Sequence, residues 1–351
     1  MKIGLIGLPN SGKTTILNAL AKVDAEVTSY ANTNPEPNIA IVNVGDERID
    51  ILSKLYQPKK ITYATIEIMD FIGFSSENAD PKFIQAIKRS DALAHVVRNF
   101  DDELLGEQNP LRDISVIDSE LILSDLIIVE TRLERIATNK KRGIKSTDSG
   151  SEEAILHRIK HHLDENRPIS SLVMTKDEVR LINGFQFLTQ KPLLIILNSG
   201  EDNFGKNHTL IGAIEATHEV IEFAGKFEME LSRLEELEEI DMFMQDIGIE
   251  MSARNRLTQF AYDTLGYVSF FTVGKDEVRA WAIHKGDTAV DAAGVIHTDL
   301  ARGFIRAECF SYDDFITAGS ESDVRRNGKF RLEGRDYIVR DGDILSIRFN
   351  V

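Results

Sequence analysis

The chain has 351 residues, 42% of them hydrophobic and 28% charged, with a formal net charge of −16. At about 150 residues per domain this length predicts two or three domains with a substantial core, and it excludes wholesale disorder. The acidic balance excludes a basic, sequence-blind nucleic-acid binder and leaves RNA contact only to a local basic face. The single cysteine, Cys309, rules out an intrachain disulfide and a thiolate zinc cluster and fits a reducing compartment. No apolar run approaches the roughly 18–20 residues that cross a bilayer, and the opening stretch is too short and too Gly-rich for a signal peptide. A cytoplasmic protein with no membrane contact is expected.

In chain order, Lys2 to Ile6 reads as a short apolar strand, Gly7 to Thr14 as a Gly-rich loop, and Thr15 to Ala25 as a helix with Ile16, Leu17 and Leu20 at helical spacing. Two prolines mark Tyr30 to Asn38 as a loop. Ile39–Val44, Ala64–Met69, Ala92–Val97 and Pro192–Leu197 read as strands. Strands alternating with helices predict an α/β fold with a parallel sheet covered by helices on both faces. Residues 112–188 interrupt this rhythm. Leu126, Val129, Leu133 and Ile136 form one apolar stripe; Ile155 or Leu156, Ile159 and Leu163 form another, across a polar link from Arg142 to Ser151. Periodicity alone fits an inserted α-hairpin and two ordinary surface helices equally well. Past Thr264, alternation over Val278–Ile283 and Ile344–Val351, with a turn at Asp341-Gly342, predicts a small strand-rich domain. The resulting division is residues 1–111 with 189–264, then 112–188, then 265–351. No long internal repeat is present.

Gly7-Leu8-Pro9-Asn10-Ser11-Gly12-Lys13-Thr14 matches G-x-x-x-x-G-K-[ST] between a strand and a helix. In such a loop the glycines let backbone N–H groups turn toward phosphate oxygens, and the helix N-terminus adds partial positive charge. Asn10, Ser11, Gly12, Lys13, Thr14 and Thr15 are therefore the candidate phosphate cradle. Lys13 reaches the β and γ phosphates, and the Thr14 hydroxyl is a Mg²⁺ ligand. Asp70-Phe71-Ile72-Gly73 follows a strand and reads D-x-x-G, with Asp70 on Mg²⁺ and the Gly73 N–H sensing the γ phosphate. Asn198-Ser199-Gly200-Glu201 sits where GTPases place N-K-x-D. Glu201 is one methylene longer than Asp, and Ser199 has no stem to pack on a base, so selection of guanine is impaired. Asn198 retains contact with N7 and the N6 amine of adenine. An unmatched buried acceptor costs about 1–3 kcal/mol, enough to reverse the preference.

These three motifs in order resemble the YchF-type subfamily of Obg-like ATPases. Four C-terminal stretches extend the resemblance to nearly the whole chain: Glu277–Trp281, Gly294–Asp299, Gly303–Ala307 and Asp336–Asp343 are similar to that subfamily's TGS domain, a ubiquitin-like β-grasp. The resemblance implies a P-loop G domain with an inserted coiled-coil arm and a C-terminal TGS domain. It also implies slow Mg²⁺-dependent hydrolysis favouring ATP over GTP, and association with ribosomes and RNA. Asn10 matches a P-loop Asn that ligates K⁺ in related potassium-activated enzymes. Leu231 and Ser232 fall where the family's base-contacting backbone lies. A monomer is the expected state.

The departures from the family pattern are specific. The second switch is short, Phe74 running quickly to Phe83. Asn99 to Leu111 holds no His, although the family pattern carries one there. Asn34 stands where the family has Thr, with Thr33 one position early. Binding tolerates these changes more readily than turnover does. Two alternatives therefore stay open, a GTP-specific GTPase and a nucleotide-gated binding module with negligible turnover. Elsewhere, His157, His161 and His162 read as solvated helix residues. Lys140, Lys141, Arg142 and Lys145 at the arm's tip, and Arg325, Arg326, Lys329, Arg331 and Arg335 further on, are candidate RNA contacts. Trp281 reads as core.

Overall fold

The computed structural model describes residues 1–21, 38–71, 81–143, 149–231, 234, 242–245 and 251–350. The chain divides into two compact units, Met1–Ile41 with Glu67–Ala253, and Val42–Ile66 with Arg254–Val351.

The first unit is built on β1 (Lys2–Ile6), α1 (Lys13–Leu20), β2 (Asn38–Asn43), β4 (Thr65–Asp70), α3 (Pro81–Lys88), β5 (Ala92–Asn99), β6 (Leu193–Ser199), α7 (His208–Glu215), β7 (Glu219–Phe223) and α8 (Gly225–Leu231). Its sheet runs β2-β4-β1-β5-β6-β7, and β4, β1, β5, β6 and β7 are mutually parallel. All eight residues of β5 are buried, as a central strand covered on both faces requires. The chain leaves β1 at the point where the strand order reverses, so its carboxyl end opens the crevice in which α/β sheets bind ligands. This is a P-loop G-domain fold.

Between β5 and β6 the chain forms α4 (Pro110–Lys141) and α5 (Ser149–Asp164), then α6 (Lys176–Ile182). Asn109 caps α4 through its Oδ1, with Pro110 in the first turn. The two apolar stripes are one core: Val129 and Ile136 of α4 pack with Ile155, Leu156, Ile159 and Leu163 of α5, joined by Ile169, Ile182 and Phe187. Glu130 pairs with Lys160 late in α5, whereas Lys140 at the end of α4 pairs with Glu153 near the start of α5, so α4 and α5 are antiparallel. The structure thus selects the hairpin from the two readings that periodicity left open.

The second unit holds α2 (Glu47–Tyr56) and β3 (Lys60–Thr62), then β8 (Tyr267–Thr272), β9 (Glu277–His284), β10 (Phe304–Ser311), β11 (Arg331–Glu333) and β12 (Asp343–Phe349). Its mixed sheet runs β11-β10-β12-β8-β9-β3. The helix Ala289–Ile296 lays Ala289, Ala292 and Ala293 against Phe270, Ile283, Phe304, Ala307 and Leu345. Trp281 packs on this core, its indole N–H donating to Thr272 Oγ1 at 3.0 Å. The sequence reading assigned residues 42–66 and 254–264 to the nucleotide domain; the structure places both in this second unit. The reason is pairing. β3 lies parallel to β9 in register Lys60 to Glu277, and Arg48 bridges Asp46 and Asp341 at 2.8 and 2.6 Å beneath the Phe271 ring. Local periodicity carries no trace of a partner so distant in sequence.

One buried carboxylate ties the helical hairpin to the segment that leads into β6. Asp125 on α4 is fully buried and accepts from the N–H groups of Leu188 and Thr189 at 2.9 and 2.7 Å and from Thr189 Oγ1 at 2.7 Å. Asp125→Ala leaves those donors unpaired in the interior, and urea unfolding is expected to show a loss of about 2–4 kcal/mol.

Candidate functional site

Every candidate site residue that the structure describes lies at or just beyond the carboxyl end of a strand of the parallel sheet, or on a helix that follows one. After β1 the backbone turns through left-handed conformations at Asn10 (φ 61°) and Gly12 (φ 95°) before α1 begins. A Cβ on Gly7 would stand 2.4 Å from the Val96 carbonyl oxygen, so only glycine fits there. Gly12 offers no side-chain cap, and the first N–H groups of α1 have no intrahelical acceptor. Lys13 folds back over the loop, its Nζ donating to the carbonyls of Gly7 and Leu8 at 3.0 and 2.9 Å. Burial pushes the Lys13 ammonium below its usual range, partly offset by the charge of Asp70.

Asp70 ends β4 beside α1. Its Oδ2 accepts from Thr14 Oγ1 at 3.0 Å, while Oδ1 is buried without a hydrogen-bond partner among the described residues. Burial raises the Asp70 carboxyl above the usual carboxylate range, against the opposing pull of Thr14 and Lys13. A hydroxyl and a carboxylate with a spare oxygen, held together next to a phosphate-type loop, fit a small hard cation that takes oxygen ligands, such as Mg²⁺. Asn10 is exposed on the loop. Gly73 and Ser232 lie outside the described residues, as do Thr33, Asn34 and Phe74.

Asn198, buried at the end of β6, is a cross-tie. Its Nδ2 donates to the Ser11 carbonyl at 3.0 Å, and its Oδ1 accepts from the Gly225 N–H at 3.2 Å. The amide is pressed between two glycines. A Cβ on Gly12 would be 2.1 Å from Nδ2, and one on Gly225 would be 2.6 Å from Oδ1 and 2.9 Å from Ile16 Cδ1. The sequence reading aimed Asn198 at a base. The structure shows that one donor and one acceptor of its amide are first committed to the phosphate loop and to the start of α8. Glu201 is exposed in the following turn. The Leu231 side chain packs with Ala224 and Phe227 at the far end of α8.

Three contributors escaped sequence reading. Gly225 was not singled out, although a glycine directly after a strand and opening a helix is the available signal. Phe100, just past β5, lies alongside both the cradle and the Asn198 turn. Its side chain is 3.8 Å from where a Gly12 Cβ would sit and 3.4 Å from that of Gly200. His95 is fully buried in β5, its ring 3.3 Å from the Gly7 Cβ position, and neither ring nitrogen has a partner among the described residues.

Other candidates are absorbed into structure. His162 is buried and its Nε2 meets Ser171 Oγ at 2.8 Å, while His157 and His161 are exposed. Among the described residues no cluster of three or more His, Cys, Asp or Glu could hold a metal. The C-terminal basic residues are largely partnered: Arg325 with Glu308, Arg326 with Asp323, Lys329 with Asp314, and Arg331 with the buried Asp343. Arg335 reaches the Phe304 carbonyl. Lys140, at the arm's tip, pairs with Glu153, and Lys141 and Arg142 are exposed.

Two outcomes follow. Gly225→Ala drives a methyl group into the Asn198 amide and Ile16, so calorimetric titration should show nucleotide affinity falling at least about tenfold. His95 is held down to about 3 by burial first and by the charges of His218 and Lys13, against 6.5 for a free imidazole. The unfolded chain therefore binds a proton that the fold refuses. The stability that neutral His95 contributes is complete above about pH 6.5 and is lost as pH falls toward 3, at about 1.4 kcal/mol per unit. Urea unfolding from pH 7 to pH 4.5 should show a shallower pH dependence for His95→Gln than for the unsubstituted protein.

Comparison with known proteins agrees with this geometry. A family model described as a 50S ribosome-binding GTPase matches residues 2–199, and a YchF GTPase C-terminal model, described as a protein of unknown function (DUF933), matches residues 267–350. The ribosome-binding ATPase YchF of Haemophilus ducreyi is 39% identical over 363 aligned residues, covering 100% of this chain and 99% of that protein. The Bacillus subtilis protein of the same name is 37% identical, with 99% of each chain covered. The solved YchF GTPase of Schizosaccharomyces pombe superposes with a TM-score of 0.84 at 30% identity, covering 99% of this chain and 97% of that one. A full-length match in both sequence and structure makes this chain a member of the YchF family.

Proposed function

We propose that the protein is a Mg²⁺-dependent nucleoside triphosphatase that favours ATP over GTP and binds ribosomes in a nucleotide-controlled way. The observation that carries this reading is the convergence of Lys13, Thr14, Asp70 and the Asn198 tie at the carboxyl ends of adjacent parallel strands. The relatives' name, ribosome-binding ATPase, supports both halves of it. On this reading the helical hairpin is the family's coiled-coil arm and residues 265–351 its β-grasp TGS domain. The exposed Lys141 and Arg142 at the hairpin's tip offer an RNA-facing surface in the cytoplasm, and the chain acts as a monomer. No helix among the described residues is long and apolar enough to cross a membrane.

The residues divide the work. Lys13 exchanges two neutral carbonyl acceptors for β and γ phosphate oxygens, gaining charge-assisted hydrogen bonds. Thr14 and Asp70 would hold Mg²⁺, which when bound would draw negative charge off the phosphates. The α1 N-terminus and the N–H groups from Asn10 to Thr15 cradle the chain of phosphates, and the Gly73 N–H senses the γ phosphate. Asn10 is positioned in sequence to add a K⁺ ligand. Phe100 supplies an apolar wall beside the Asn198–Glu201 turn, where the base enters, and Leu231 and Ser232 stand in sequence where the family's base-contacting backbone lies. Glu201 lacks the reach of Asp for guanine, which leaves adenine favoured.

A second reading, a nucleotide-gated binding module with negligible turnover, is favoured by one observation. The loop after β5 carries no histidine; Arg98 pins it through the Gly106 carbonyl at 3.0 Å, and Leu104 within it is 94% exposed. No imidazole in that loop can act on water.

Calorimetric titration with non-hydrolysable ATP and GTP analogues in Mg²⁺ and K⁺ tests the first reading. At least about a tenfold preference for the ATP analogue is expected, with binding abolished in Lys13→Ala and cosedimentation with ribosomes dependent on the analogue. Equal binding by Lys13→Ala would overturn it. Phe100→Ala is expected to weaken ATP roughly tenfold through loss of the apolar wall. Single-turnover phosphate release above the Lys13→Ala background would exclude the second reading.

A further inference from the structure

Ser199 occupies the position that holds a base-packing lysine in N-K-x-D proteins, yet its side chain is committed elsewhere. It is buried; its hydroxyl donates to Glu222 Oε1 at 2.6 Å and accepts from Asn99 Nδ2 at 2.9 Å. Glu222, on β7, holds more than this one residue. Its Oε1 also accepts from Asn207 Nδ2 at 2.5 Å, and its Oε2 accepts from the Gly205 N–H at 3.2 Å. Gly205 adopts φ +73°, a left-handed turn position. The two oxygens of one carboxylate therefore grip the Ser199–Asn207 turn near its start, its middle and its end. The same turn is braced from β5, where the Asn99 carbonyl accepts from the Gly200 N–H at 3.2 Å and from Asn203 Nδ2 at 2.9 Å. Glu201, the candidate base-reading carboxylate, rides on this turn, and among the described residues its side chain has no hydrogen bond or ion pair.

We propose that Glu222 is a positioning residue for nucleobase selection: it touches no nucleotide, but it fixes the turn that carries Glu201 and keeps Ser199 turned away from the base. This deepens the nucleotide-binding reading above and rests on it. Glu222 lies in β7, one strand removed from the Asn198 motif, and its bonds go to Ser199 at the end of β6 and to Gly205 and Asn207 in the turn. Its effect should fall on recognition of the base and spare the phosphate cradle, whose ties run through Lys13, Thr14, Asp70 and Asn198 and include no bond to Glu222. The chemistry also bears on re-engineering. A lysine placed at 199 starts from a Cα whose side chain points at Glu222, and it would form an ion pair there before it packed on a base.

The test separates base from phosphate. Affinities for ATP, GTP and inorganic triphosphate are measured by calorimetry for the unsubstituted protein and for Glu222→Ala, Glu222→Gln and Ser199→Ala, with thermal unfolding as a folding check. The expected result for Glu222→Ala is a roughly tenfold weaker ATP complex, an ATP-to-GTP ratio moved toward one, and triphosphate affinity within about twofold of the starting value. Glu222→Gln keeps one acceptor oxygen and should recover part of the ATP affinity, and Ser199→Ala should shift the ratio in the same direction by a smaller factor. Unchanged ATP affinity in a folded Glu222→Ala, or ATP and triphosphate falling in parallel, would overturn the proposal. An unsubstituted protein that binds ATP no tighter than triphosphate would remove the base-recognition reading itself, and the proposal with it.

Discussion

The site is organised around one amide. Asn198 joins the Ser11 carbonyl to the Gly225 N–H, and so fixes the phosphate loop after β1 to the start of α8. Both neighbours are glycines because a side chain on either would occupy the amide's own volume. A buried amide leaves little tolerance, since each unmatched polar group in an apolar interior costs a kilocalorie or more. The consequence is that the Gly7–Thr14 loop is locked to the end of β6 and the start of α8, while the Ser199–Asn207 turn is braced separately, by Glu222 and the end of β5. The Gly7–Thr14 loop and the end of β6 are parts of one rigid construction, on which Lys13, Thr14 and Asp70 depend for their mutual placement.

Burial gives this construction its electrostatic character. Lys13 and Asp70 are opposite charges held in the interior, and for each the cost of leaving water outweighs the attraction of the other. Such a pair is a poor source of stability and a good receiver of further charge, because any anion or cation brought to it restores the charged forms that burial opposes. The helix N-terminus beside them adds to the effect on the anion side.

Much of this was legible in the sequence, for identifiable reasons. The strands β1, β5 and β6 are nearly continuous apolar runs, and the Gly7–Thr14 spacing constrains backbone as well as side chains, so each announced itself locally. The apolar stripes of α4 and α5 were equally plain, but only packing could show that they face each other. What stayed hidden depends on partners far apart in sequence. Glu222 looks like an ordinary polar residue of a strand until its three donors from the 199–207 turn are seen. His95 reads as one more residue of a buried strand, and only its position beneath Gly7 gives it meaning. Phe100 follows a strand end with nothing local to mark it. The basic residues near Arg331 read as a patch because sequence does not display the carboxylates of Glu308, Asp314, Asp323 and Asp343 that meet them.

The second unit is discontinuous, and this bears on how the chain is made. Lys59 and Asp276, which pair at the β3–β9 edge, are separated by 217 residues. During synthesis α2 and β3 emerge long before the strands that receive them, so the nascent chain carries Ile49 and Leu52 without their final cover while the first unit assembles. Closing so long a loop is an entropic burden on the rate of folding, although a modest one on stability. A cut at the apparent junction near residue 264 would not release two intact domains. It would leave the N-terminal fragment with an orphaned helix and the C-terminal fragment with an open sheet edge at β9, a template for unintended strand pairing. Cutting the gene into separately expressed halves therefore calls for moving residues 42–66 with the C-terminal part, by circular permutation or by grafting.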